Sequence, residues 1–371
     1  MSKRLGLSLA AVLGLVAADP AAARAGYVQT NLVSDVPGLA NHLDANLKNP
    51  WGMSYGPTGP FWVSNQVTGN STLYDGGGSP RSLIVTIPNN SASPPRGPTG
   101  QVFNNTTDFA LSTGGKALFL FANLDGSISG WNGAQGTTAQ ISVVPSAPTI
   151  YTGLALGNNG AGNFLYAADV RNGRIDAFNG TFVKTSLAGS FTDAALPSGF
   201  VPYNVQNIGG TLFVTYENRA LGGGVVDAFD LSGNFLRRIA ANGALGTLQS
   251  PWGLAIAPAG FGTFAGKLLV GNKDDGHISA FDPLTGAFAG QILDGQGKPI
   301  ANTGLWGLMF GNGGSGGDPN NLYFAAGING ETNGLFGEIT VPEPGSMTLA
   351  GLGGALLIAF PIVKSRVRRA G

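Results

Sequence analysis

The stretch Asn49–Asn65, NPWGMSYGPTGPFWVSN, decides the fold, because the chain repeats it. It reads as an aromatic–glycine strand start, a Gly/Pro turn, and an apolar strand that ends on a small or polar residue. The phrase returns as SPWGLAIAPAGFGTFAGKLLVGN from Ser250 and as GLWGLMFGNGGSGGDPNNLYFAAG from Gly304. Weaker copies lie between: PTGQVFN with KALFLFANLDG, YTGLALGNNGAGNFLYAADVRNG, and VPYNVQNIGGTLFVTYENR. Anchored on Trp51, Gly100, Thr152, Tyr203, Trp252 and Trp306, six units follow at spacings of 49 to 54 residues. After each pair of strands comes a third of alternating polarity, such as GRIDAFNG or GHISAFDPLTG, closed by an Asp/Asn-Gly type of turn. A fourth follows in most units: SLIVTIP, AQISVVP, TFVKTSLAG, FLRRIA and FAGQILD. Four antiparallel strands at a period near 50, six times over, predict an all-β, six-bladed β-propeller of four-stranded antiparallel blades. An open β-solenoid is the competing architecture, but its coils repeat at shorter and more regular intervals.

The sixth unit has no fourth strand of its own: after GLFGEITV the chain runs into a different kind of sequence. Near the other end, YVQTNLVSD at Tyr27–Asp35 is a strand without a unit. It is expected to supply the missing outer strand and so join first blade to last. Closure of this kind leaves no open ring edge to pair with another chain. It also takes the place of disulfides, since the chain has no cysteine.

Composition agrees with an all-β body. Sixty-one glycines and 22 prolines without a Gly-X-Y period mean many tight turns. Charged residues make up 11%, too few for long solvent-exposed helices. Without cysteine, thiolate metal sites and cysteine nucleophiles are excluded. In Gly26–Val341, seven of the chain's 20 basic and two of its 20 acidic residues are missing, which leaves a net charge of about −5. No basic stripe of the kind a nucleic-acid binder needs is present.

Both ends carry targeting sequence. Lys3 and Arg4 precede an apolar stretch from Leu5 to Ala18, and Ala23-x-Ala25 offers cleavage between Ala25 and Gly26: residues 1–25 read as a secretory signal peptide. Residues 26–341 are then the propeller. From Met347 to Val363 run 17 uncharged residues, followed by Lys364, Arg366, Arg368 and Arg369. A helix of that length reaches roughly 26 Å, at the short end of what a bilayer core requires, and the basic cluster favours the cytoplasmic side. Residues 342–371, beginning Pro342-Glu343-Pro344, resemble the PEP-CTERM sorting signal in all three of its parts. The resemblance implies that exosortase, a membrane transpeptidase, recognises Pro342, Glu343 and Pro344. It also implies a transient stay at the inner membrane, held by the C-terminal helix, before delivery to the cell surface or extracellular matrix. Two prolines fit that role physically, because they hold an extended segment just outside the membrane. With NLVSDVPGLA…D…LKNPWG at Asn31–Gly52, the chain is similar to a family of uncharacterised exported bacterial proteins with PEP-CTERM tails.

The loop entering each inner strand and the loop leaving each second strand should open on one face, around the channel. Asn65, Asn123, Asp169, Asn204, Glu217 and Asn272 are the candidate ligands there, accompanied by Asn49, Asp125, Arg171, Lys273, Asp274 and Asn329. Such a ring of oxygens could coordinate Ca²⁺ or another divalent cation. Six-bladed propellers of the gluconolactonase type hold a catalytic divalent cation in this place, and the pattern is similar to theirs without matching residue for residue. The opposing reading is that Asn, Asp and Gly are what hairpin turns demand. Glu217 stands apart, because TYENR puts a carboxylate at a strand end without a turn glycine beside it. His42 and His277 are the only histidines and lie far apart in sequence, on the N-terminal loop and in the fifth blade, which argues against a multi-histidine metal site. Trp51, Trp252 and Trp306 could stack on a sugar or quinone, but their repeat position favours packing. Two functions follow: an exported binding or scaffold protein for a glycan or other envelope component, or a divalent-metal-dependent hydrolase of the lactonase type.

Overall fold

The computed structural model describes residues 26–91, 96–241 and 246–341; the signal peptide and the apolar tail expected from the sequence lie outside them. Among the described residues no helix is long and apolar enough to cross a membrane.

Six antiparallel sheets form a ring. The inner strands are Pro50–Ser54, Pro98–Phe103, Tyr151–Asn158, Val201–Ile208, Pro251–Ile256 and Leu305–Phe310. Each pairs with the second strand of its blade: Phe61–Asn65, Phe119–Asn123, Asn163–Asp169, Thr211–Glu217, Leu268–Asn272 and Leu322–Ala326. The outer strands are unequal, with only two residues at Val85–Thr86 and Lys184–Thr185 but seven at Phe235–Ala241. The second strands are near-continuous apolar runs such as Phe119–Asn123 and Leu322–Ala326, buried along their whole length, because both faces of each blade are covered by a neighbour. The result is six interblade clusters of buried side chains. Each fully buried Phe or Leu in them contributes about 1.5–3 kcal/mol.

The repeated aromatic–glycine phrase records a β-bulge. Every inner strand slips register against its partner at this point: between Pro50 and Met53, Pro98 and Gln101, Tyr151 and Gly153, Pro202 and Asn204, Pro251 and Gly253, and Leu305 and Leu308. A bulge re-aims a side chain, and here it gathers Trp51, Tyr203, Trp252 and Trp306 on the ring axis as a seventh cluster. The glycines let adjacent inner strands touch. A Cβ on Gly100 would lie 2.3 Å from Leu154 N, and one on Gly253 would lie 2.4 Å from Trp306 O.

The ring closes as the sequence predicts. Val28–Ser34 is the outer strand of the sixth blade, antiparallel to Leu335–Thr340, with Val28 opposite Thr340 and Ser34 opposite Leu335. The flanking residues tie this strand to blades five and one. Tyr27 donates its hydroxyl to Phe261 O at 3.0 Å, and Asp35 accepts from Lys48 Nζ at 2.6 Å. A fifth strand, His42–Leu43, runs parallel beside it and has no sequence signal of its own. Six interblade clusters and the closing strand pair join the blades into a complete ring within residues 26–341.

Candidate functional site

The four axial aromatics divide the channel. Trp51 and Trp306 stack with centroids 3.6 Å apart, and Trp252 stands edge-on to both at 6.2 and 6.0 Å. Tyr203 packs against the same pair. Trp306 Nε1 donates to Asn49 Oδ1 at 2.9 Å and Trp252 Nε1 to Thr152 O at 3.0 Å. Trp51 Nε1 is buried without a partner among the described residues. On one side of this plug lies a cavity of about 310 Å³ to which all six blades contribute. Met53, Phe103, Leu154, Leu308 and backbone line much of it, and no acid or base does.

The other side is the mouth expected from the sequence, a cavity of about 540 Å³. Inner-strand entries and second-strand ends meet there, as the pairs Pro50–Asn65, Val201–Glu217 and Pro251–Asn272 show. Its floor is Trp51, Tyr203 and Trp306, and its charged residues are Glu217, Arg219, Lys273, Asp274 and Glu331. The Glu217 side chain, 2% exposed, accepts from Arg219 Nε at 2.6 Å. Burial pushes the Glu217 carboxyl up from its ordinary value, against the pull of Arg219 and Lys273. Burial disfavours the Lys273 ammonium, but Asp274 at 2.9 Å and Glu331 at 3.7 Å outweigh it, so this lysine stays more firmly charged. Its Nζ also sits 5.9 Å from the Trp306 ring centroid, in reach of a cation–π contact. Ser250 Oγ donates to Asp274 Oδ2 at 2.6 Å and fixes the carboxylate.

Backbone strain accumulates at this mouth. Asn49 (φ 46°) and Ser250 (φ 50°) precede inner strands, and Asn329 (φ 55°) and Glu331 (φ 66°) flank Gly330 (φ 66°) in a left-handed turn. Such residues cost about 1–3 kcal/mol each and persist where the surroundings over-determine them. Asn329 was expected on this face as a turn residue. What it achieves is to carry Glu331, which sequence reasoning missed, over Lys273.

The other expected residues disperse. Asn65 donates to Asn70 Oδ1 and Thr72 Oγ1 within its own blade, and Asn123 to Ser127 Oγ. Asn272 donates to Thr247 O in the linker before its blade. The free carbonyl oxygens of all three are buried without a partner among the described residues. Asp169 is fully buried and accepts from Asn172 Nδ2 at 2.6 Å. Asn204 lies below the plug, where it replaces the waist glycine and donates to Trp252 O at 2.8 Å. Only Glu217 of the six reaches the mouth cavity. Among the described residues no three His, Cys, Asp or Glu side chains come together to hold a metal ion.

The relatives match this architecture in length. Over 330 residues the chain is 31% identical to uncharacterized protein R648 of Acanthamoeba polyphaga mimivirus, covering 83% of this chain and 78% of that one. Over 341 residues it is 30% identical to uncharacterized protein L690 of the same virus, covering 86% and 87%. The chain belongs to their family. Unlike a bare propeller, this family member also matches the PEP-CTERM protein-sorting motif, at residues 340–369. That motif implies an exported protein processed by exosortase. Among solved structures, an α-L-arabinofuranosidase from Fusarium graminearum superposes with a TM-score of 0.55 at 12% identity, over 85% of this chain and 98% of the other. The PQQ-bound aldose sugar dehydrogenase of Streptomyces coelicolor gives 0.51 at 16%, over 85% and 99%. At these identities the likeness is one of fold.

Proposed function

We propose that this family member is an exosortase-sorted propeller of the cell surface or extracellular matrix that binds a ligand at its channel mouth without turning it over. One observation carries the reading: each carboxylate that lines the mouth already has a cation. Glu217 is paired with Arg219, and Asp274 and Glu331 share Lys273. A guanidinium stands beside Glu217 where the lactonase-type reading needs a divalent ion. Paired charges over an aromatic floor supply donors, acceptors and a flat apolar surface, which suits recognition of a polar ligand such as a glycan.

A melt of the 26–341 body in Ca²⁺ and in EDTA tests the binding half. A cation held at a hundredfold excess over its dissociation constant adds about 2.7 kcal/mol, a rise of several degrees at most for a body of this size. The expected melt is the same in both. A Ca²⁺-dependent rise that Glu217→Gln abolishes overturns the reading in favour of a metal-dependent hydrolase. For the sorting half, deletion of Pro342–Pro344 is expected to leave the full chain exported but unprocessed. Unchanged release from the membrane would sink that half.

A further inference from the structure

On the mouth side of the ring, blades three and four leave a second cavity, of about 610 Å³, that adjoins the channel mouth through Ile150, Asn218 and Arg219. Its chemistry differs from that of the mouth. Two arginines line it, Arg171 and Arg219, and among the described residues lining it there is no carboxylate. Arg171 makes no hydrogen bond or ion pair among the described residues. Arg219 spends only its Nε on Glu217, which leaves both terminal amino groups of the guanidinium without a partner among the described residues. Glu217 itself lines the mouth and not this cavity, so it orients Arg219 from behind.

Most of the rest of the wall is apolar, with Ser198 and Asn218 the polar exceptions. Val170 and Val201 form one side. On the other, Asn218 Oδ1 accepts from the backbone N–H groups of Ala220 and Leu221, both at 3.1 Å, and Asn218 O accepts from Gly222 N at 2.7 Å. This turn presents Leu221 with 81% of its surface exposed. An exposed leucine on a hydrogen-bonded turn thus lines the same cavity as two arginines whose donors are open among the described residues.

We propose that this cavity binds a small amphipathic anion: a carboxylate taken by Arg171 and Arg219, with its apolar body laid against Val170, Val201 and Leu221. A guanidinium fork matches a planar carboxylate by two parallel hydrogen bonds, which a point charge does not. The assignment shares Arg219 with the mouth, but Arg171, Val170, Val201 and Leu221 line this cavity and not the mouth, so variants at those residues separate the two readings.

Calorimetric titration of the 26–341 body with fatty acids of graded length tests it. Octanoate is expected to bind saturably at one site, about tenfold more tightly than hexanoate, since each buried methylene is worth up to about fourfold. Octan-1-ol, which keeps the chain and loses the charge, should bind at least tenfold more weakly, and inorganic phosphate, which lacks the chain, weaker still. Arg171→Gln is the clean variant, because it breaks no hydrogen bond or ion pair among the described residues; it should weaken octanoate at least tenfold at an unchanged melting temperature. Leu221→Ser should reduce the gain per methylene. Equal binding of octan-1-ol and octanoate, or no saturable binding, overturns the proposal. So does loss of octanoate binding in Lys273→Met with Arg171→Gln unaffected, which would put the anion in the channel mouth.

Discussion

The same six inner strands line both ends of the channel, yet the two ends share almost no chemistry. At the mouth five ionisable side chains meet over the aromatic plug, whereas the far cavity is lined by side chains that carry no charge. Strain follows the same division. Of the seven non-glycine residues with positive φ among the described residues, Asn49, Ser250, Asn329 and Glu331 stand around the mouth. The difference arises from connectivity. At the mouth the chain enters each blade from its neighbour and leaves the second strand, so long-range contacts fix loop conformations that a local hairpin would not hold. The far end receives the turns between inner and second strands, which obey local turn rules. Strain and charge are therefore stored where the ring, rather than the blade, determines the backbone.

What the two ends have in common is the waist between them, and the largest expected effect comes from breaking it. Gly253→Val places a Cβ 2.4 Å from Trp306 O, and backbone cannot yield as a side-chain tip can. A loss of about 3 kcal/mol or more is expected in urea unfolding, with both cavities disturbed. A loss under about 1 kcal/mol would mean that the ends are not joined through this contact. Asn204, at the equivalent place in blade four, shows how a side chain is tolerated there: its carboxamide bridges to Trp252 O. A smaller effect separates the plug's two stacked rings. Trp306→Phe leaves Asn49 Oδ1, next to the strained entry to blade one, without its donor and should cost about 1–3 kcal/mol beyond the lost ring area. Trp51→Phe removes an N–H that has no partner among the described residues, so it should cost less than its stacked neighbour. Equal losses would remove the link between plug and mouth.

The fold was legible because a ring repeats its geometry. The Pro-Trp-Gly phrase recurs where each inner strand must bulge and where two backbones must touch. Closure was legible for the same reason, since a unit short of one strand points to a strand without a unit. Glu217 could be found, because a carboxylate at a strand end without a turn glycine needs another explanation. Arg219 and Glu331 could not. Arg219 matters only once Glu217 is known to be buried, and the Asn-Gly pair before Glu331 reads as an ordinary hairpin turn. The asparagines at the other strand ends misled in the opposite direction: their positions are equivalent to that of Glu217, but their carboxamides turn into the blades and linkers. A period locates a position and says nothing of which way a side chain of two or three torsions points.

The smallest effect sharpens the contrast most, because only the mouth contains an acid to titrate. Burial raises the folded-state pKa of Glu217 above its unfolded value, so the folded protein binds this proton more tightly than the unfolded chain does. Its contribution is therefore unfavourable above the folded pKa and is relieved as pH falls through it. Asp35 and Asp176 behave in the opposite sense. Burial raises both, but Lys48, the Gly334 N–H and Asn333 together hold Asp35 low, Lys184, Tyr151 and Arg174 together hold Asp176 low, and their stabilisation is lost as pH falls. Asp35 and Asp176 thus cost stability in acid, while Glu217 works against them together with Asp227, whose carboxyl burial pushes up to about 7. Glu217→Gln removes that one term. At pH 7 the variant should lie within about 1 kcal/mol of the parent, since the desolvation of Glu217 is opposed by the attraction of Arg219, which solvent screens because that side chain is largely exposed. Between pH 7 and pH 4 its stability relative to the parent should decline. Melts of both proteins across that range measure the difference directly. A variant that instead gains on the parent as pH falls would mean that Arg219 outweighs burial and that Glu217 is an ordinary stabilising ion pair.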